Sequence, residues 1–203
     1  AQELCPLHLS YFGLIVIGYI CDVYWQKINV QKNPGKFVLF AGFFPQMISG
    51  PIVTYKQMGK ELFGEKHRFS YGNFVNAAER ILWGAFKKLV VAERCAIIVN
   101  TIYADFEIYN GLLIPFAAVM FVVQLYADFS GLMDIIIGTA QLFEIKLPEN
   151  FNMPFISRNL SEFWRRWHIS LGEWLKDYVL FPIYRSKSFK KLDKYCKNKW
   201  GKQ

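Results

Sequence analysis

The stretch IYNGLLIPFAAVMFVVQLYA, residues Ile108–Ala127, carries no Asp, Glu, Lys or Arg over 20 positions. A helix that crosses a bilayer needs about 20 mostly apolar residues to span a hydrocarbon core about 30 Å thick. Two further stretches lack these charges, Leu4–Cys21 over 18 residues and Phe37–Tyr55 over 19. Phe129–Phe143, charged only at Asp134, is a fourth. Phe74–Tyr103 reads as helical, partly interfacial and partly spanning, because Glu79-Arg80, Lys87-Lys88 and Glu93-Arg94 interrupt its apolar runs. Open sheet edges are not tolerated in lipid. The pattern therefore predicts an all-α, polytopic membrane protein, with spanning and broken or re-entrant helices plus one amphipathic interfacial helix.

Composition agrees. Of 203 residues, 53% are hydrophobic and 18% aromatic, which excludes a disordered tail. The 19 Phe, 11 Tyr and 6 Trp exceed what one small soluble core needs. The net charge of +8 is concentrated at one end: residues 185–203 hold eight Lys or Arg against Asp193 alone, so +7 belongs to that segment. A neutral apolar body with a basic end suits a cytoplasmic, lipid-facing segment and argues against nucleic acid as a partner. The loop at Asp105 and Glu107, poor in Lys and Arg, is expected to face outward. Cys5, Cys21, Cys95 and Cys196 are widely spaced, with no C-x-x-C, so neither a disulfide scaffold nor a metal ribbon is implied. The chain starts at Ala1 with no signal-peptide pattern, and reads as a piece of something longer.

Phe43-Phe44-Pro45-Gln46-Met47-Ile48-Ser49-Gly50-Pro51 sets two prolines and a glycine inside an apolar segment. Pro45 and Pro51 remove backbone donors and restrict their predecessors, so a break near Pro45 or Gly50 is expected. Basic flanks on both sides suit a re-entrant segment; a kinked spanning helix fits equally well. Further on, at about 100° per residue, Gln124, Ala127, Asp128, Gly131, Asp134, Gly138 and Gln141 share one face of an otherwise apolar helix. Carboxylates there face a bundle interior or a cavity, and small residues let backbones approach, so packing and a path are both open.

After the polar link Pro148–Pro154, Asn159 can cap a helix and Glu162 can return the bond. Leu160, Phe163, Trp164, Trp167, Leu171, Trp174, Leu175 and Tyr178 form one stripe at helical spacing, as in a helix lying along a membrane surface and ended by Pro182. His168 sits at the border of that stripe, on one side with Ser161, Arg165 and Gly172. A histidine at such a border can stay neutral and act as a general base, or simply hydrogen-bond a neighbour. His8 and His67 have no partner at useful spacing, and there is no G-x-S-x-G, P-loop or H-E-x-x-H.

Ser161-Glu162-Phe163-Trp164-Arg165-Arg166-Trp167-His168-Ile169-Ser170-Leu171, continuing to Tyr178, resembles the signature of the membrane-bound O-acyltransferases, closest to their bacterial cell-surface branch (alginate O-acetylation and teichoic acid D-alanine export). The broken segment Phe43–Ile52, Gln124–Gly131 and Leu147–Phe151 resemble three further blocks of that branch in the right order. The resemblance implies a partial acyltransferase domain over residues 1–184, then a basic, cytoplasmic segment over 185–203 leading into a downstream part. It implies helices ringing a funnel, through which an acyl group, most simply acetyl, passes from a cytoplasmic thioester to hydroxyls of a surface polysaccharide. His168 matches the first of two hallmark histidines. The second, which the resemblance implies is the catalytic one, lies in a Leu-Trp-His-Gly block with no counterpart in this sequence, so the chain is not expected to be active alone.

Among the residues present His168, the match to the first hallmark histidine, is the catalytic candidate, with a purely structural role as its alternative. Asp128, Asp134, Asn150, Glu162, Arg165 and Arg166 are candidates for the substrate or donor path, with Arg165, Arg166 or Asn150 holding the donor's phosphates or amide. Pro45, Gln46, Gly50 and Pro51 form the broken-helix motif. No metal or resident cofactor is implied; the donor, acetyl-CoA or an acyl carrier protein, is a substrate. Membrane lipids, an extracytoplasmic acyltransferase and an acyl carrier protein are the implied partners, in a multi-pass protein of the cell membrane. Two alternatives stay open: a transporter or channel using the Asp128/Asp134 stripe, and a non-catalytic scaffold for acylation partners.

Overall fold

The computed structural model describes residues 7–64, 69–105 and 107–201. Eleven α-helices occupy most of that length, and among the described residues the only β-type pairing is a single bridge between Phe151 and Trp167. The chain is all-α, as its sequence predicts.

The first apolar stretch forms α1, Leu7–Tyr24. The second is broken in three. Asn33 caps α2, Pro34–Ala41, by accepting from the backbone N–H of Gly35 and Lys36. The chain turns at Gly42-Phe43, makes the short α3 over Phe44–Ser49 with Pro45 in its first turn, and becomes extended at Gly50. The expected break at Gly50-Pro51 is there, with an earlier one at Gly42. The capping box of Thr54 and Gln57 then starts α4, Tyr55–Phe63.

Helix α5, Tyr71–Phe86, continues through a π-turn at Lys87–Ala92 into α6, Glu93–Ala104. Helix α7 runs unbroken over Leu113–Leu142, so the third and fourth apolar stretches are one 30-residue helix. Among the described residues α7 is the one helix long and apolar enough to cross a membrane, and Tyr11–Tyr24 is a shorter apolar one.

The expected continuous amphipathic helix from Asn159 to Pro182 is corrected. It is divided into α8, Leu160–Arg166, and α9, Ile169–Leu175, by an extended Trp167 and a left-handed His168 at φ 47°. The bridge to Phe151 explains the break, because Asn152 N–H donates to Arg166 C=O and Ile169 N–H donates to Asn150 C=O. Strand-like pairing draws residues 166–169 out of the helix. Pro182 does not end the helical run either. A π-turn at Lys176–Leu180 precedes it, and Pro182 falls in the first turn of α10, Phe181–Arg185, where its missing N–H costs little. Ser186 then caps α11, Lys187–Trp200, which carries most of the basic end.

Nor does the aromatic stripe lie wholly on a surface. Leu171 and Trp174 pack on the core built from Ile15, Phe40, Phe43, Met133 and Ile136, and Trp174 Nε1–H donates to Leu14 C=O. Tyr178 donates to the buried Asp22. Leu160, Trp164 and Leu175 remain exposed.

Candidate functional site

Two helices with apolar outer faces carry charges that need partners away from water, and α5 and α7 meet those needs in each other. They pack antiparallel in one register. Asn73 Nδ2–H donates to Gln141 C=O at 2.7 Å, and Gln141 Nε2–H returns a bond to Asn73 Oδ1 at 2.9 Å. One turn on, Gly138 lies against Ala77 and Ile81. Arg80 reaches Asp134 at 2.9 Å and Glu149 at 2.5 Å. Gly84 and Gly131 then let the backbones touch, since a Cβ on Gly84 would sit 2.5 Å from the Gly131 carbonyl oxygen.

Beyond that contact the π-turn begins. Lys87 pairs with Asp134 and donates to Ser130 Oγ, while Lys88 pairs with Asp128. Consecutive residues of an α-helix point about 100° apart. Both ammonium groups nevertheless reach α7, from a π-turn of the kind that is frequent at functional sites. From Asp128 to Gln141 the small-and-polar stripe of α7 is thus filled by its neighbour, while the buried Gln124 Oε1 has no hydrogen-bond partner among the described residues. Asp134 is enclosed by two cations, whereas the Asp128 side chain is 50% exposed.

Around His168 the construction is finer. Asn150, 1% exposed, lies in the link after α7 and joins three segments. Its Oδ1 accepts from Ser170 N–H at 3.0 Å and Ser170 Oγ–H at 2.9 Å, and meets His168 Nδ1 at 3.2 Å. Its Nδ2 faces Met133 Sδ. Ser170 Oγ in turn accepts from Ile52 N–H at 3.0 Å, tying the start of α9 to the chain just past the Gly50-Pro51 break. The imidazole stands edge-on to the Phe129 ring at 4.9 Å, and Phe129 and Phe151 pack at 5.1 Å. Tyr126, Phe155, Phe163 and Trp167 extend this aromatic wall. Burial pulls the His168 pKa down from 6.5 to about 4, so the ring is neutral at pH 7. Its left-handed backbone is a strained state for a residue with a Cβ, of the kind that collects at functional sites.

A polar pocket of about 250 Å³ adjoins this cluster, lined by Lys87, Tyr126, Ser130, Asp134, Glu149, Asn150 and Asn152 among others. His168 is not among its lining residues and is connected to it only through Asn150. A larger cleft of about 600 Å³, between Trp25 and Arg185, includes none of these groups.

The structure therefore brings His168, Asn150, Asp134 and the end of the broken segment into one region. Asn150 does not present its amide outward, because its polar atoms face protein groups. Arg166 is held by Glu162 at 2.9 Å and also donates to Asn152 C=O, so it braces the link rather than facing outward. Glu162 accepts from Arg158 N–H, one residue before the expected position, while Asn159 caps α8 as predicted. Arg165 is exposed, and the break at Trp167-His168 removes the helical face it was expected to share with His168. Pro45 and Pro51 are buried, and a Cβ at Gly50 would meet Gln46 Cα at 2.7 Å. Gln46, 1% exposed, has no hydrogen-bond partner for its amide among the described residues. His8 and His67 fall outside the described side chains.

Arg80, Lys87, Glu149 and Ser170 belong to the site without having been singled out from sequence. A signal existed for the cations: Arg80, Lys87 and Lys88 run in the opposite order to their partners Asp134 and Asp128, and charges in apolar helices need partners.

Residues 26–195 match the model of the MBOAT, membrane-bound O-acyltransferase family. Curated relatives agree. A protein named "Probable alginate O-acetylase AlgI" from Pseudomonas syringae is 34% identical over 180 residues, covering 89% of this chain and 34% of its own. The peptidoglycan O-acetyltransferase of Helicobacter pylori is 33% identical over 89% of this chain and 39% of its own. The teichoic acid D-alanyltransferase of Streptococcus thermophilus is 31% identical over 91% and 46%. The chain thus spans between a third and a half of the length of these relatives. Since the family model covers most of its length, the chain belongs to the membrane-bound O-acyltransferase family.

Proposed function

We propose that the complete protein is a multi-pass enzyme of the cell membrane that transfers an acyl group, most simply acetyl, from a cytoplasmic thioester to hydroxyls of a cell-surface polysaccharide. The observation that carries this reading is a neutral, strained His168 held by Asn150, a residue that lines a polar pocket, in a chain of this family. The relatives named for O-acetylation of alginate and peptidoglycan favour acetyl over other acyl groups.

In the proposed step the imidazole of His168 takes the proton of an acceptor hydroxyl, and the oxygen attacks the thioester carbonyl. A C–O bond forms, the C–S bond breaks, and the departing thiolate receives the proton, leaving an ester and a free thiol. General-base assistance of this kind contributes about 10²–10⁴ in rate. A basic end facing the cytoplasm suits an acidic carrier or the phosphates of coenzyme A as donor. A transport path along the α7 stripe is disfavoured, because Arg80, Lys87 and Gly84 occupy it.

The test is deletion and complementation in cells fed labelled acetate. Restoring the complete protein should restore label in alkali-labile esters of a surface polymer. Equal ester content with and without the protein would overturn the proposal.

A further inference from the structure

The hydrogen bonds around Asn150 settle more than a position. A backbone N–H can only donate, so the Asn150 atom 3.0 Å from Ser170 N is the amide oxygen. The hydroxyl of Ser170 fits the same orientation. It already accepts from Ile52 N–H, and its own proton points to Asn150 Oδ1 at 2.9 Å. The oxygen carries no proton of its own. The contact with His168 at 3.2 Å is therefore a hydrogen bond only when Nδ1 bears the hydrogen. In the neutral ring that leaves the lone pair on Nε2, which makes no hydrogen bond among the described residues. The position of Asn150 is fixed from behind as well. It is 1% exposed, its carbonyl holds Ile169 N–H, and its Nδ2 abuts Met133. A rotated amide would set its NH2 group against two donors of Ser170 and leave the oxygen facing sulfur.

We infer that Asn150 is a positioning residue. It holds His168 as the Nδ1–H tautomer, so that Nε2 is presented as the proton acceptor for the transfer reaction. The inference rests on the acyl-transfer reading above for its catalytic meaning, but the tautomer itself does not depend on that reading. The same residue couples the tautomer to the broken segment. Its oxygen is shared with Ser170, and Ser170 holds Ile52, two residues past Gly50. The left-handed backbone of His168 has a corresponding purpose: at φ 47° the chain reverses just enough for Nδ1 and the Ser170 N–H to converge on one oxygen.

The experiment uses the complete protein in lipid nanodiscs, with histidine labelled by ¹⁵N and the His168 resonances identified by their loss in His168→Gln. At pH 7.5 the wild type should show a protonated Nδ1 and an unprotonated Nε2. A protonated Nε2 with a bare Nδ1 overturns the inference whatever the activity. Asn150→Asp keeps an oxygen acceptor in place and should keep the tautomer. Asn150→Leu should lose the tautomer preference and lower kcat about 10-fold or more with KM within twofold. Ser170→Ala separates positioning from scaffolding: it breaks the link to Ile52 but leaves the Asn150–His168 contact, so the tautomer should persist. If the wild-type tautomer is as stated and kcat survives its loss in Asn150→Leu, the positioning role is refuted. If His168→Gln is fully active with the tautomer confirmed, the acyl-transfer role of His168 falls instead. Should Asn150→Leu not fold, wild type, Asn150→Asp and Ser170→Ala still decide the tautomer.

Discussion

Gly84→Ala should part the two central helices. The added Cβ would sit 2.5 Å from the Gly131 carbonyl oxygen, 2.9 Å from Ile135 N and 3.0 Å from Asp134 Cβ. Ordinary contact begins at 3.4 Å, so α5 and α7 must separate by about 0.9 Å. A gap of that size forfeits about a quarter to a half of each dispersion contact along the interface. Overpacking costs about 1–3 kcal/mol, and a backbone oxygen has no rotamer by which to escape, so the upper part of that range applies, about 2–3 kcal/mol.

Cys95 reports the change. It is 9% exposed on α6, which packs on the same α7. In the complete protein, with Cys95 as its sole cysteine, a thiol reagent reaches it only when the helices open. A loss of about 2–3 kcal/mol should speed labelling about 30- to 150-fold. Gly13→Ala is the control, since a Cβ there meets nothing within 4 Å; it should be neutral or stabilise by up to about 1 kcal/mol. Labelling of Gly84→Ala within threefold of wild type would refute the close approach and the register built on it.

Other expectations follow the same logic. Asp134→Asn leaves Arg80 and Lys87 short of a partner in a mostly enclosed site and should cost about 3 kcal/mol in a detergent unfolding titration, whereas Asp128→Asn, half exposed, should cost under about 1 kcal/mol; equal losses would contradict the difference in burial. The folded His168 pKa, about 4, lies below its ordinary 6.5, so unfolding takes up a proton between those values. Stability should be fully present above pH 6.5 and fall as pH drops towards 4, and His168→Gln should flatten that slope. Replacing His168 by Gly relieves the positive φ, so His168→Gly should be at least as stable as His168→Ala by thermal shift, despite glycine's larger chain entropy. Cys196, exposed on α11, should resist an impermeant thiol reagent applied to intact cells and label after permeabilisation; labelling from outside would reverse the proposed orientation.

Those features that depend on local periodicity were legible in the sequence. The apolar run at 113–142 predicts a helix whatever its neighbours are, and Pro45 and Gly50-Pro51 predict a break from backbone geometry alone. The split between α8 and α9 was not legible. Residues 160–178 have helical spacing throughout, and only the pairing with Phe151 and Asn150, contributed from before the helix, pulls Trp167 and His168 out of it. Asn150 read as a polar link residue for the same reason, since its three acceptor contacts come from residues 18 and 20 positions away. The α7 stripe left packing and a path equally open. The paired glycines Gly84 and Gly131 and the antiparallel order of Arg80, Lys87 and Lys88 decide for packing.

The most direct test of the account concerns His168 in the complete protein. Cells whose only copy carries His168→Gln should insert it in the membrane at the wild-type level, because glutamine can still donate to Asn150. The alkali-labile ester content of their surface polymer, measured by mass spectrometry at matched expression, should fall by about 10²-fold or more, to that of the deletion strain. Ester content equal to wild type would contradict the account and leave His168 as a structural pin between Asn150 and Phe129.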